Sequence, residues 1–559
     1  MMMRRIACLA TGLLLSACGP GSSPRPIASE PLTAPPFIGA AATAIPFAGS
    51  APEHPYMAAA GVGGMHGDGF SSGVHQVAGP LGVNPQVVSR IGSRYPGGMC
   101  ATVTFDRGGR LVALCASLLG FELQLLQPRS LELLASYQLP GRPSTFEALV
   151  KRDSSIIMTD TSGGAYFYLD AQDRAVLVDS RQRLQRIGHR QLESGQWEFY
   201  LADSWALGGD HVPEDCMNWN NWFPQGECDP VTAVMPDYSG NIWWVTRKGR
   251  VGTLNPDSGQ IAMTRLDGEE IQNGFSVADD GVYIVSDHAL YRMRAMADGA
   301  PDIVWREAYD RGSAKKVGSI NQGSGTTPTL IGDDYVTITD NADERINLLV
   351  YRRTGNSKGE RLICRLPLFD AGASATDNSM IGRGRSIFIE NNHGYSNAMK
   401  QSDWSAISGG FSRIDIRADE SGCNLVWTSP EKSPSVVPKM SAGNGLIYFY
   451  TFATQENGEN AWYLGALDAE TGRTAFKIRT GAGRDYDNNW APISLGPDGT
   501  AYVGTLKGLL AIYDQDVNPQ LSSAMQLCGG AGSGYKTAAL DRACAHFWAA
   551  RISNLGLGF

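Results

Sequence analysis

A short pattern recurs along this chain from Cys100 onward: a turn built on Asp and Gly, a brief apolar strand, a second turn, then another strand. Asp106-Arg107-Gly108-Gly109 precedes Arg110 to Cys115, Asp237-Tyr238-Ser239-Gly240 precedes Asn241 to Val245, and Asp279-Asp280-Gly281 precedes Val282 to Val285. Further copies put Gly332-Asp333-Asp334 before Tyr335 to Ile338, Gly384-Arg385 before Ser386 to Ile389, Gly445 before Leu446 to Tyr450, and Gly496-Pro497-Asp498-Gly499 before Thr500 to Val503. In such turns Asp bonds its own backbone and Gly supplies positive φ. Units of about 40 to 60 residues with four short strands each are the pattern of propeller blades. One further unit around Ser154 to Val178 brings the count to eight, with seven to eight as the range. The fold class is therefore an all-β, eight-bladed β-propeller.

Composition supports this and narrows the function. The 66 Gly and 29 Pro in 559 residues describe a turn-rich chain, and 18% charged residues leave ample apolar material for a core. The net charge of −9 comes without a basic block, so no electrostatic footprint for nucleic acid exists. No apolar run after Leu15 approaches the roughly 20 residues of a spanning helix.

At the amino end, Arg4 and Arg5 precede an apolar run from Ile6 to Leu15 that stops at Leu15-Ser16-Ala17-Cys18. The run is too short to stay in a bilayer as an anchor. It resembles a bacterial lipoprotein signal, and the resemblance implies cleavage before Cys18, acylation of its thiol and an exported protein held to a membrane by lipid. Gly19 after the cysteine implies the outer membrane in a Gram-negative cell. Residues 1–17 are then signal, 18–95 a Pro/Ala/Gly-rich flexible tether, 96–516 the propeller, and 517–559 a linker with a short helix, Ala538 to Ile552, docked on the rim.

Ten cysteines less Cys8 and Cys18 leave eight. An even number in an oxidising compartment reads as disulfides, with 105 possible pairings. The reading taken pairs nearest neighbours: Cys100 with Cys115, Cys216 with Cys228, Cys364 with Cys423, and Cys528 with Cys544. No C-x-x-C supports zinc.

Ala466-Leu467-Asp468-Ala469-Glu470-Thr471-Gly472-Arg473 resembles the A-x-D-x-x-T-G repeat of quinoprotein (PQQ)-like propellers, and Thr253 to Gly259 is a looser copy. The resemblance implies the fold. Where that family usually places a blade-docking Trp, this chain has Phe476 and Lys477, and the vicinal cysteines of quinone-dependent alcohol dehydrogenases are absent, so PQQ itself is not expected. A lipobox before an eight-bladed propeller is also similar, at fold level, to the propeller scaffold of the outer-membrane β-barrel assembly machine.

Propellers present function at one mouth of the channel, so polar residues after inner strands are the candidates. Thr337 to Thr339 runs into Asp340 and Asn341, Ile387 to Ile389 into Glu390, Asn391 and His393, Ile156 to Thr159 into Asp160, while Asp377-Asn378 and Asn489 precede other strands. Calcium takes six to eight oxygen ligands, which makes Asp340, Asn341, Glu390, Asn391 and Asn489 a candidate Ca²⁺ set with His393 as the proton-handling residue. In residue type this is similar to calcium-dependent lactonases. The competing explanation is that Asp and Asn simply cap turns. The loop from Trp205 to Pro230, with Trp205, Trp219 and Trp222 around Cys216 and Cys228, is a candidate lid or partner surface. Gly69-Phe70-Ser71-Ser72-Gly73 matches G-x-S-x-G outside the strand-to-helix context that motif needs, and Gly529 to Thr537 only imitates a phosphate loop. Three functions follow in order: a small-molecule or glycan site with hydrolase-like or lactonase-like chemistry, a scaffold binding envelope proteins, and a quinone-dependent oxidoreductase.

Overall fold

The computed structural model describes residues 24–47, 51–59, 61–93, 97–117, 120–218, 220–354 and 361–515. Eight antiparallel sheets form an eight-bladed β-propeller, with blades at 97–138, 168–206, 231–265, 276–308, 329–367, 381–429, 439–482 and 493–514. We number them 1 to 8.

The second strand of a blade is buried on both faces, because neighbouring blades pack against it from either side. Ile242–Thr246 (IWWVT), Tyr335–Thr339 and Ser386–Glu390 are buried at every position, which is why they read as continuous apolar runs. Outermost strands are half exposed, as at Ile261–Arg265. The turns behave as their residues dictate. Asp237 Oδ1 accepts from the amides of Ser239 and Asn241 at 2.9 and 3.0 Å while Gly240 takes φ +92°.

Blades dock through tryptophan. Trp427, on the outermost strand of blade 6, donates Nε1–H to the Ala469 carbonyl at 3.2 Å, and its indole lies where a Cβ on Gly472 would sit, 2.6 Å away. Thus the Asp468 to Gly472 turn receives its indole from the preceding blade, although blade 7 itself carries Phe476. Trp305 of blade 4 meets the Arg353 carbonyl of blade 5 in the same manner, at 3.2 Å.

Three disulfides are present among the described residues: Cys100–Cys115, Cys216–Cys228 and Cys364–Cys423. The first joins paired strands of blade 1, and the third staples the outermost strands of blades 5 and 6. Cys18, Cys528 and Cys544 lie outside the described residues, as does the expected carboxy-terminal helix.

Three expectations need correction. The runs read as inner strands, Thr337 to Thr339 and Ile387 to Ile389, belong to second strands; the innermost strands of those two blades, Thr329–Ile331 and Ile381–Arg383, have only three residues each, too few to show a period. Ile156 to Thr159 is not a strand. Helix α1, Pro143–Lys151, and helix α2, Ser155–Met158, occupy the insertion between blades 1 and 2.

The stretch 18–95, expected as a tether, enters the fold in its described part. Pro85–Ile91 is the outermost strand of blade 8, paired over seven residues with Gly508–Asp514, so the amino-terminal region closes the ring. Phe37–Gly39 extends blade 7 on its outer edge, and Val74–His75 pairs in parallel with the innermost strand of that blade. From Val62 to Gly73 the chain runs inside the channel. Val62, Gly63, Gly69, Phe70, Ser72 and Gly73 offer carbonyls to the amides of Phe105, Leu169, Val277, Leu330, Gly382 and Met440, which belong to six different blades, at 2.7 to 3.3 Å. Glycine lets this plug pass: a Cβ on Gly73 would meet the Ile381 side chain at 3.1 Å, and its φ is +67°. No helix among the described residues is long and apolar enough to cross a membrane.

Candidate functional site

Adjacent strands of a blade run antiparallel, so loops entering the innermost strands and loops joining second to third strands emerge on one face. The long connections all fall there: 139–167 with both helices, 207–230 with its disulfide, 309–328 and 391–410. The channel opens on this face into a pocket of about 110 Å³, lined in large part by residues of the loops that lead into innermost strands, among them Asp377, Asn273 and Trp490. Met65 and His66 of the plug contribute its inner end, and Ile157 and Met158 of α2 one side.

One wall is apolar, with Met99, Phe121, Met158 and Trp490; the other carries Asp377, Asn378, Ser379, Tyr166 and Asn273. Asp377 is 7% exposed, and its Oδ1 accepts from the Ile320 amide at 3.2 Å while Oδ2 has no protein partner. Burial pushes this carboxyl up to about 7, against the partial compensation of the Ile320 amide and the charges of Lys315 and Arg247. His66 lines the same pocket, its Nε2 within 3.1 Å of Thr327 Oγ1 and 3.4 Å of Ser379 Oγ, with Nδ1 unpaired. Burial and the nearby Lys439 hold it well below the usual imidazole range, so it is neutral. Tyr166 O–H donates to Asn273 Oδ1 at 3.3 Å. In the lining Arg142, buried, pairs with Asp160 at 3.4 Å and stacks 4.4 Å from the Phe121 ring, and the ion pair neutralises both charges. The pocket therefore offers an apolar body site with one titratable carboxyl oxygen free.

Asn489 and Trp490 both hold positive φ, 45° and 64°. Two consecutive non-glycine residues in this region are costly, and such strain clusters at functional sites. Its effect here is to set the Trp490 ring on the pocket wall, with Nε1 buried and unpaired.

Of the residues expected to hold calcium, only Asn489 lines this pocket, and its Oδ1 already accepts from the Ala398 amide at 3.0 Å. Asp340 caps its own turn, accepting from the amides of Ala342 and Asn347 and from Asn347 Nδ2. Asn341 donates to the carbonyls of Arg311 and Ala314, and Asn391 bonds four backbone groups around its loop. Glu390 is buried behind the wall, accepting from Asn378 and Asn392, and burial raises it to about 7. His393 meets Ser408 Oγ at 3.1 Å, away from the pocket. Asp340, Asn341 and Asn391 thus bond separate loops and Glu390 keeps Oε2 without a protein partner, and no group of three or more His, Cys, Asp or Glu among the described residues is placed to hold a metal. Ser71 of the G-x-S-x-G match is fully buried and lines no cavity described here, although its φ is +52°.

Trp222 packs edge-on against Phe146 of α1 at 4.7 Å, so the disulfide loop and the helical insertion support each other. Trp205 lies on blade 2 beneath Arg186, and Trp219 is outside the described residues. In the sequence Asp377 stands out only as one acidic residue before a strand, and His66 carries no signal, because nothing in its Gly-rich stretch shows that it enters the channel.

No family model matches the chain. It is 26% identical over 321 residues to an uncharacterized protein of Archaeoglobus fulgidus, covering 52% of this chain and 62% of that protein, so the match spans about three fifths of that relative's length. Among solved structures, quinohemoprotein alcohol dehydrogenase from Comamonas testosteroni is similar over 82% of this chain and 80% of its own at 10% identity and a TM-score of 0.49. A streptogramin B lyase matches over 77% of this chain and 97% of its own at 9% identity and a TM-score of 0.36.

Proposed function

We propose that this protein is an exported, lipid-anchored propeller that binds a small organic molecule at the open mouth of its channel and performs proton-transfer chemistry on it. The observation that carries the reading is the buried Asp377 carboxyl, with Oδ2 unpaired in a pocket that also presents the apolar side chains of Met99, Phe121, Met158 and Trp490. Perturbed carboxyls in clefts are candidate functional groups on physical grounds. The pocket suits a neutral or amine-bearing molecule with an apolar body, because its only other charges, Arg142 and Asp160, are paired. Ester or lactone hydrolysis is the reaction class within reach. As a carboxylate, Asp377 takes a proton from water as that water attacks the carbonyl carbon, and returns it to the oxygen leaving with the cleaved C–O bond. Neutral His66, Tyr166 and Asn273 are available to orient the substrate.

The test is hydrolysis of a panel of aryl esters and lactones by the purified body from pH 5 to 9. The reading expects a rate rising through about pH 7 and lost by about 10²-fold or more in Asp377→Asn. A panel with no turnover, or turnover indifferent to the substitution, counts against the chemistry.

A second reading, a scaffold for an envelope protein, is favoured by one feature. Leu149 and Val150 follow Phe146 at the spacing of one helix face, and with Trp222 and Phe223 they are 53%, 45%, 47% and 82% exposed. Site-specific photocrosslinking from position 223 in cells tests it: a reproducible adduct supports the scaffold, and none removes it.

A further inference from the structure

A second cavity of about 470 Å³ lies on the same face, away from the channel, between the amino-terminal segment at 28–30, the blade 6 loop at 398–404 and the blade 7 loops at 458–460 and 482–485. Trp404 forms part of its wall, half-buried, and is braced edge-on by Phe452 at 4.9 Å and Trp462 at 5.4 Å. Glu30, Glu459, Arg484 and Asp485 line the same cavity, and among the described residues their side chains form no hydrogen bond or ion pair, although the Arg484 charge acts on Asp487. Asn460, 4% exposed, uses Oδ1 to accept from Thr454 Oγ1 at 2.8 Å, which leaves its amide N–H groups free to donate into the groove.

We infer that this groove is a saccharide site, and that its ligand carries amino-sugar units. A fixed indole gives a pyranose a flat apolar surface for its C–H face. Planar carboxylate, guanidinium and amide groups match pairs of adjacent hydroxyls, and free polar side chains at a pocket rim supply orientation. Charge selects within the class: three carboxylates against one guanidinium favour a protonated amine and disfavour carboxylated or sulfated sugars. A groove open at the surface admits a chain of sugars, which the smaller channel pocket does not.

The test titrates the full folded body with a glucosamine tetrasaccharide, following tryptophan fluorescence and calorimetry, beside cellotetraose and a sulfated tetrasaccharide. Saturable binding of the amino sugar is expected, weaker for cellotetraose and absent for the sulfated one. Trp404→Ala should weaken binding roughly tenfold or more. Because that indole also packs on Trp462, the paired variant Glu459→Gln/Asp485→Asn provides a surface change that leaves the fold intact and should abolish the preference for the amine. Asp377→Asn should bind the tetrasaccharide unchanged, which separates this site from the channel. No saturable binding, or binding that neither groove variant weakens, overturns the inference.

Discussion

Ser441 Oγ donates to the Val77 carbonyl at 2.6 Å across 364 residues of sequence. The contact fastens the innermost strand of blade 7 to a segment near the amino end, and it is one of a series through which residues 61–77 fill the inner part of the channel. The plug and the closing strand make the amino-terminal region part of the folding unit, and they decide which end of the channel is open.

A chain beginning at residue 97 lacks both the plug and the outermost strand of blade 8. It should fail to give a monomeric, cooperatively melting body, whereas a detachable tether would leave melting unchanged. A milder probe is Phe70→Ala, which removes a plug ring that is 4% exposed and lies 5.1 Å below the Arg353 guanidinium. About 3 kcal/mol of destabilisation is expected, read from denaturant unfolding.

The Cys364–Cys423 bridge closes 59 residues between adjacent blades. Restricting so long a loop in the unfolded chain stabilises the fold by up to about 4 kcal/mol. The Cys364→Ser/Cys423→Ser variant should melt lower than the wild type under oxidising conditions and equal to the wild type in reductant. A wild-type melt insensitive to reductant would contradict the staple.

Asp377 fixes the sign of one pH dependence. Its folded-state value, about 7, lies above the ordinary 3.8, so between those limits the folded chain binds more protons than the unfolded chain and stability falls as pH rises. Glu390 and Asp487, each raised to about 7 by burial, act in the same direction. Asp377→Asn should therefore be more stable than the wild type at pH 8, by on the order of 4 kcal/mol, with the gap closing near pH 4. Paired urea unfolding curves at the two pH values measure it.

Cys18 tests the membrane attachment proposed for the chain. Cells labelled with a radioactive fatty acid should mark the wild type and leave Cys18→Ser unmarked and in the soluble envelope fraction. Equal labelling of the two would remove the lipid anchor.

The sequence made the blades legible because their second strands are buried on both faces and their turns carry Asp and Gly at fixed offsets, as at Asp237 and Gly240. It showed which residue types end those strands and not what their oxygens bond, so Asp340 and Asn391 looked like ligands while serving as turn caps. Innermost strands of two or three residues leave no period. The plug was illegible for a different reason: its hydrogen bonds reach six blades far away in sequence, and its glycines, needed for close passage, also resemble those of a linker. Asp377 becomes a candidate only when folding buries one of its oxygens without a partner.

The most direct test of the channel-mouth site is a melting-temperature screen of wild type and Asp377→Asn in parallel, against small neutral and amine-bearing compounds with an apolar body. A ligand that binds only the native state raises its melting temperature in proportion to occupancy. The account predicts a chemically related set that stabilises the wild type and loses its effect in the variant. A screen in which no compound shifts the wild type, or every hit stabilises both proteins equally, would contradict it.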